Sequence, residues 1–164
     1  VEKSVPALLL LLAVVRAGAV YLPLNTGYTL TELAYFIADA EPRVVVCDPG
    51  KLEAIEDIAR PSGTLVVTLD ANGRGTLMDK ADDASTNFAT VARTSDDLAA
   101  ILYTSGTTDR PKGVIHRYDN FYWKAMDQSV ALQQSAQDKL LVLCICKTNH
   151  LFWGMDATNH FLLQ

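Results

Sequence analysis

Apolar residues run unbroken from Ala7 to Val15, and the run closes on Arg16 and Gly18. A basic last turn followed by glycine is a helix ending, so Leu8 to Val15 reads as a buried helix. Val20-Tyr21-Leu22 reads as a short strand stopped by Pro23. Thr29 with Glu32 three residues on forms a capping box. The helix it opens places Leu30, Leu33, Phe36 and Ile37 on one face and stops at Glu41-Pro42, because a residue before proline disfavours helix. Arg43 to Cys47 holds three consecutive valines, the pattern of a fully buried parallel strand. Asp48-Pro49-Gly50 turns into a helix carrying Leu52, Ile55 and Ile58, which Pro61-Ser62-Gly63 breaks before a strand over Thr64 to Leu69. Asp70 to Asp83 reads as a surface excursion with one short helix. A strand from Leu98 to Tyr103 then leads into a polar loop, Thr104 to Gly113. Val114 to His116 is strand-like, a helix follows from Asp119 to Gln134, and Lys139 to Cys146 reads as a last strand. Strands alternating with helices predict an α/β fold, a largely parallel sheet flanked by helices.

Composition narrows the class. The chain has 164 residues, 49% hydrophobic and 20% charged, which excludes disorder and low complexity. A net charge of -5 argues against a nucleic-acid partner. The nine apolar residues from Ala7 to Val15 are too few to span a bilayer, so no membrane partner is expected. Lys3 and Ala17-Gly18-Ala19 imitate a signal peptide, but Glu2, Pro6 and Arg16 interrupt the pattern. Three cysteines, Cys47, Cys144 and Cys146, show no framework spacing and suggest a reducing, cytoplasmic setting. Cys144 and Cys146 with His150 and His160 could be imagined as a metal site. In an apolar run they are better read as small buried hydrophobes, and no metal ligand is assigned. Val1 in place of Met and the apolar Phe161-Leu162-Leu163-Gln164 are expected of a chain cut from a longer fold.

The candidate chemistry lies in Leu102-Tyr103-Thr104-Ser105-Gly106-Thr107-Thr108-Asp109-Arg110-Pro111-Lys112-Gly113. Four hydroxyls and a glycine follow directly on a strand, with a lysine beyond. Hydroxyls and backbone N–H groups suit phosphate oxygens, and lysine adds a mobile positive charge. The physical reading is a polyphosphate-binding loop; the alternative is a solvent-exposed polar turn. It is not a Walker A loop, in which Ser or Thr follows the lysine where Gly113 stands, nor a Gly-x-Gly-x-x-Gly dinucleotide loop.

The string Tyr103-Thr104-Ser105-Gly106-Thr107-Thr108 with Pro111-Lys112-Gly113 resembles the phosphate loop of the adenylate-forming enzymes. These comprise acyl-CoA synthetases, firefly luciferases and peptide-synthetase adenylation domains. Arg16 to Asn25 is similar to the family's segment ahead of that loop. Tyr28 to Leu33, Asp39 to Pro42, Val45 to Pro49, Gly73-Arg74-Gly75 and Asp96 to Leu102 resemble the malonyl-CoA synthetase branch in particular. The resemblance implies part of a three-layer adenylate-forming N-terminal domain. Residues 1–164 would be an incomplete AMP-binding domain with its phosphate loop at 103–113, the adenine-binding segment, hinge and C-terminal lid lying beyond. It implies ATP, Mg²⁺ and coenzyme A as cofactors and a small carboxylic acid as substrate, malonate being the acid of the branch it resembles. The reaction would convert carboxylate, ATP and CoA to acyl-CoA, AMP and pyrophosphate, with the isolated chain nearly inactive. Thr104, Ser105, Gly106, Thr107, Thr108 and Lys112 would contact the ATP phosphates, and Gly113 would permit a tight turn. No catalytic side chain is assigned.

Two departures matter. Asp109 stands where the family usually has Gly, and a carboxylate near a triphosphate is repulsive. After Asn120 the likeness fades, although Tyr122-Trp123 and Phe152-Trp153-Gly154 resemble the aryl-CoA ligase branch. His150, Phe152 and Trp153 could line an acyl pocket or simply pack, and His116 is expected on a strand rather than in catalysis. A degenerate, non-catalytic nucleotide-binding or scaffold module of the same fold is the rival reading.

Overall fold

A computed structural model describes residues 1–104, 111–131 and 133. They fall into two units, Val1–Ala17 with Thr26–Val91, and Gly18–Asn25 with the described residues from Ala92 onward.

In the first unit, α1 spans Val5–Arg16. It begins three residues before the apolar run's first leucine because Ser4 caps it, its hydroxyl accepting from the Ala7 N–H at 3.3 Å, and because proline is tolerated in a first turn. The expected burial is not met. No α1 residue is buried, and Val5 is 70% exposed. A helix apolar on every side has no polar face to turn outward, so packing one side leaves the others bare. At its end, the Arg16 guanidinium donates to the Phe88 carbonyl at 2.6 Å and lies over the Phe88 ring.

Helix α2, Leu30–Ala40, opens on the expected capping box. The Thr29 N–H donates to Glu32 Oε2 at 2.7 Å, and the Glu32 N–H donates back to Thr29 Oγ1 at 3.3 Å. Leu33, Phe36 and Ile37 are buried as expected, but Leu30 is 51% exposed, since the first turn overhangs the packed face. The chain leaves the helix at Glu41 with φ 44°, outside the right-handed helical region that Pro42 disfavours. Thr29→Ala should cost about 1 kcal/mol at neutral pH. The two Thr29 hydrogen bonds, backbone first, hold the Glu32 carboxyl below its usual value. A lowered folded-state pKa contributes stability above the unfolded pKa and loses it as pH falls through the folded one. Thr29→Ala removes the hydroxyl's bond to the carboxylate but keeps the backbone one, so urea melts of the two proteins should differ most at neutral pH and the gap should narrow in acid to the share of the Thr29 Oγ1 cap on the Glu32 N–H.

Strand β1, Val44–Cys47, pairs in parallel with β2, Leu65–Thr68, from Val44↔Leu65 to Cys47↔Thr68. Between them lie a 3₁₀ turn, Pro49–Lys51, capped by Asp48, and α3, Leu52–Ala59. Ile55 and Ala59 are buried, and Gly63 closes the segment at φ 65°. The valine run is buried only toward its carboxyl end, where Cys47 faces the core; Val44 is 48% exposed. Phe36, Ile37, Ile55, Val67 and Leu69 form the heart of this unit. The turn after β2 is held by Asp70, whose Oδ1 accepts from the Asn72 and Arg74 N–H groups at 2.8 Å each. It leads through Gly75 into α4, Thr76–Asp82, the short helix of the surface excursion.

In the second unit, β3, Leu98–Thr104, pairs with β4, Lys112–Arg117, and α5 follows over Tyr118–Ala131. The expected strand Val20-Tyr21-Leu22 reduces to one parallel bridge, Tyr21 to Ala100. The β3–β4 ladder is antiparallel, whereas β1–β2 is parallel. The connection between β3 and β4 is too short for the crossover a parallel pair would need. The expected strand Lys139–Cys146 lies outside the described residues, as does the end of the helix expected to reach Gln134. Among the described residues no helix is long and apolar enough to cross a membrane.

Candidate functional site

The loop singled out in the sequence joins β3 to β4. Ser105, Gly106, Thr107, Thr108, Asp109 and Arg110 lie outside the described residues. Thr104 and Lys112, the two expected phosphate contacts that frame them, are described and stand opposite each other. They are register partners at the last rung of the ladder, with Thr104 Oγ1 donating to the Lys112 carbonyl at 3.4 Å. Both are exposed. A hydroxyl and an ammonium therefore flank the same hairpin mouth, and that pair suits an anionic oxygen ligand.

Strand β3 is held on both edges, by β4 on one and by Tyr21 on the other. On the side away from β4, the Tyr21 N–H donates to the Ala99 carbonyl at 2.9 Å and the Ile101 N–H donates to the Tyr21 carbonyl at 3.0 Å. Ala99 and Ala100 are buried beneath. Burial also pushes the Tyr21 phenol up from its ordinary value.

Gly113 has a different role from the one expected. It sits inside β4 opposite Tyr103, and its φ is not positive, so it makes no special turn. A Cβ there would lie 3.1 Å from Ile101 Cγ2 and 3.6 Å from Tyr103 Cε1. The glycine lets the neighbouring side chains cross the ladder closely. Gly113→Val should cost about 1–3 kcal/mol by overpacking, read as a lower urea midpoint.

At the far end of β4, His116 lies on the strand as expected and rests against the Phe121 ring, 5.9 Å between centroids. Cys47 is a free, buried thiol, and burial raises its pKa. Among the described residues no group of three His, Cys, Asp or Glu could hold a metal ion. Cys144, Cys146, His150, Phe152, Trp153 and His160, considered for a metal site or an acyl pocket, lie outside the described residues. One residue near the open end of the hairpin, Arg93, carries no sequence signal. Its hydrogen-bond acceptor, the Gly18 carbonyl, lies 75 residues away in the chain, and only the fold brings the two together.

Comparison with known proteins places this hairpin in a family. The pattern described as AMP-binding enzyme matches residues 1–160. The ATP-bound MatB from Rhodopseudomonas palustris superposes with a TM-score of 0.84 at 52% identity, covering 96% of this chain and 32% of that one. The long-chain-fatty-acid–CoA ligase FadD13 of Mycobacterium tuberculosis is 30% identical over 130 residues, 77% of this chain and 25% of the relative. Chondramide synthase cmdD of Chondromyces crocatus is 37% identical over 115 residues, 70% of this chain and 3% of the relative. The chain thus spans no more than about a third of the length of these relatives.

Proposed function

The chain belongs to the AMP-binding enzyme family, and from that premise we propose that it is the phosphate-gripping part of an ATP-dependent acyl-CoA synthetase acting on malonate. The observation that carries the reading is the Tyr103–Gly113 string set across the β3–β4 hairpin, with Thr104 opposite Lys112. The malonate assignment draws on the segments resembling malonyl-CoA synthetases and on the 52% identity with ATP-bound MatB. The extent of the match, 25% of one CoA ligase and 32% of MatB, supports reading residues 1–164 as a portion of the larger N-terminal domain.

In this reading a carboxylate oxygen bonds the α-phosphorus of ATP, the bond to the β-phosphate oxygen breaks, and pyrophosphate leaves. The CoA thiolate then attacks the acyl carbon of the adenylate, and the bond to AMP breaks. Lys112 and Thr104, with Ser105, Gly106, Thr107 and Thr108 between them, hold the triphosphate and offset the charge gathering on the departing pyrophosphate. Mg²⁺ bound with the nucleotide adds charge neutralisation there. ATP, CoA and a small dicarboxylate are the partners, in a cytoplasmic setting.

The test is product analysis with the enzyme at its natural length. Malonate, ATP, Mg²⁺ and CoA should give AMP and malonyl-CoA in equal amounts, while the isolated 164 residues turn over little. ADP as product, or no thioester, would contradict the proposal. Asp109→Gly removes a negative charge beside the triphosphate and should tighten ATP about fivefold, the equivalent of about 1 kcal/mol. Equal affinities in an ATP titration would show that Asp109 does not oppose the nucleotide. The carboxylate at Asp109 is also what favours the rival, a non-catalytic module of the same fold. A protein of natural length that binds no ATP would favour that rival in its scaffold form.

A further inference from the structure

We infer that Arg93 is a positioning residue for Thr104 and Lys112, acting from the open end of the hairpin, opposite the connected end that carries this pair. The inference rests on the function proposed above. The Arg93 guanidinium donates to the Gly18 carbonyl. Gly18 has φ 66°, a left-handed turn that swings the chain into Val20 and Tyr21. Tyr21 then makes the two backbone hydrogen bonds that brace β3 at Ala99 and Ile101. Thr104 is three residues further along the same strand.

The same guanidinium acts on the other two chain segments at this end. The Asp97 carboxyl, just before β3, is held low first by the Thr94 N–H at 2.7 Å and the Thr94 hydroxyl at 3.1 Å, and also by the charge of Arg93. Tyr118, just after β4, is raised by burial and pulled down by Arg93. The two segments are tied directly, the Tyr118 N–H donating to the Asp97 carbonyl at 3.1 Å. Arg93 therefore holds the Gly18 turn that feeds the brace, four residues ahead of Asp97, where the start of β3 is tied to the end of β4. The ladder sets Thr104 against Lys112, and the Tyr21 brace on β3 holds that pair in place. Loss of Arg93 frees the Gly18 turn, loosens Tyr21 from β3, and lets the hairpin mouth drift from the geometry the phosphates need.

The experiment uses the enzyme at its natural length, with Arg93→Ala and Arg93→Lys. Arg93→Ala should bind ATP about tenfold more weakly, as expected of a small misplacement of binding groups, with KM for the carboxylate unchanged. The Ile101 amide, bonded to Tyr21, should exchange with solvent faster by a similar factor, while the Val67 amide in the other unit keeps its rate. Arg93→Lys keeps one donor for the Gly18 carbonyl and should recover most of both losses. If Arg93→Ala does not fold, Arg93→Lys alone decides: an affinity between wild type and a tenfold loss, with faster Ile101 exchange, supports the inference. Wild-type affinity in Arg93→Ala, or in Arg93→Lys with faster Ile101 exchange, overturns it. So does an equal rise in exchange at Ile101 and Val67, which is general destabilisation. A wild-type enzyme that binds no ATP refutes the function itself, a separate outcome from wild-type binding that the variants share.

Discussion

Lys112→Ala should lower kcat/KM for pyrophosphate release about a hundredfold or more, the scale seen when one donor to a developing anion is removed. The residue is exposed at the mouth of the hairpin, and its link to Thr104 runs through its own backbone carbonyl. Alanine keeps that carbonyl, so the ladder survives and only the ammonium goes. Stability should shift by no more than about 0.5 kcal/mol, as for other exposed substitutions. Lys112→Arg keeps the charge but replaces a compact ammonium with a planar fork, and should fall between the two. The measurement is steady-state pyrophosphate release with thermal melts on the same samples. A hundredfold loss accompanied by a collapse of the melt would assign Lys112 to the fold instead of the phosphates.

The second large effect is on stability. Gly75→Ala should destabilise the first unit by about 3 kcal/mol or more, adding backbone strain to overpacking. Gly75 has φ 135°, and a Cβ there would stand 2.4 Å from the Thr68 carbonyl oxygen and 2.7 Å from Thr68 Oγ1. Thr68 cannot retreat. Its N–H donates to Thr76 Oγ1 at 3.0 Å, and the Thr76 N–H donates back to Thr68 Oγ1 at 3.0 Å. This reciprocal pair fastens the end of β2 to the start of α4, and the close approach at Gly75 is what allows it. Gly63 is the control. Its φ is 65°, but a Cβ there would meet nothing within 4 Å, so Gly63→Ala should cost only the left-handed strain of about 1–2 kcal/mol. Urea midpoints of the two variants separate the contributions; equal losses would mean that crowding at Thr68 is absent.

The contrast between these glycines marks what a sequence can tell. Elements whose causes are local were legible. The Thr29–Glu32 capping box, the stop before Pro42 and the break at Pro61-Ser62-Gly63 all depend on neighbours a few residues apart, and the helices and strands lie within a few residues of their expected bounds. The start of α1 was misplaced because Ser4 caps before the apolar run begins. The Val20–Leu22 strand was overextended because apolar pattern cannot say how many backbone partners a segment finds; Tyr21 finds one bridge. Burial was the least legible. Leu30, Val44 and all of α1 read as core from composition, yet burial depends on what packs across from each face.

For the candidate site, the residue types of the phosphate loop and its place after a strand were readable, because the chemistry is written in consecutive residues. The antiparallel pairing that sets Thr104 against Lys112 went unread, although the segment from Thr104 to Gly113 is too short for a parallel crossover and so implies it. Gly113 was read as a turn and is a close crossing. Arg93 was invisible, because its bond to Gly18 spans most of the distance from the chain's start to the loop it braces.

In the proposed reaction this hairpin holds ATP while a carboxylate displaces pyrophosphate. Isotope exchange between labelled pyrophosphate and ATP, run with the enzyme at its natural length and without CoA, reads that step alone. Malonate should start the exchange, its omission should stop it, and Lys112→Ala should slow it about a hundredfold. Exchange that is absent with malonate and with every other carboxylate offered, by an enzyme that is folded and supplied with Mg²⁺, would contradict the account.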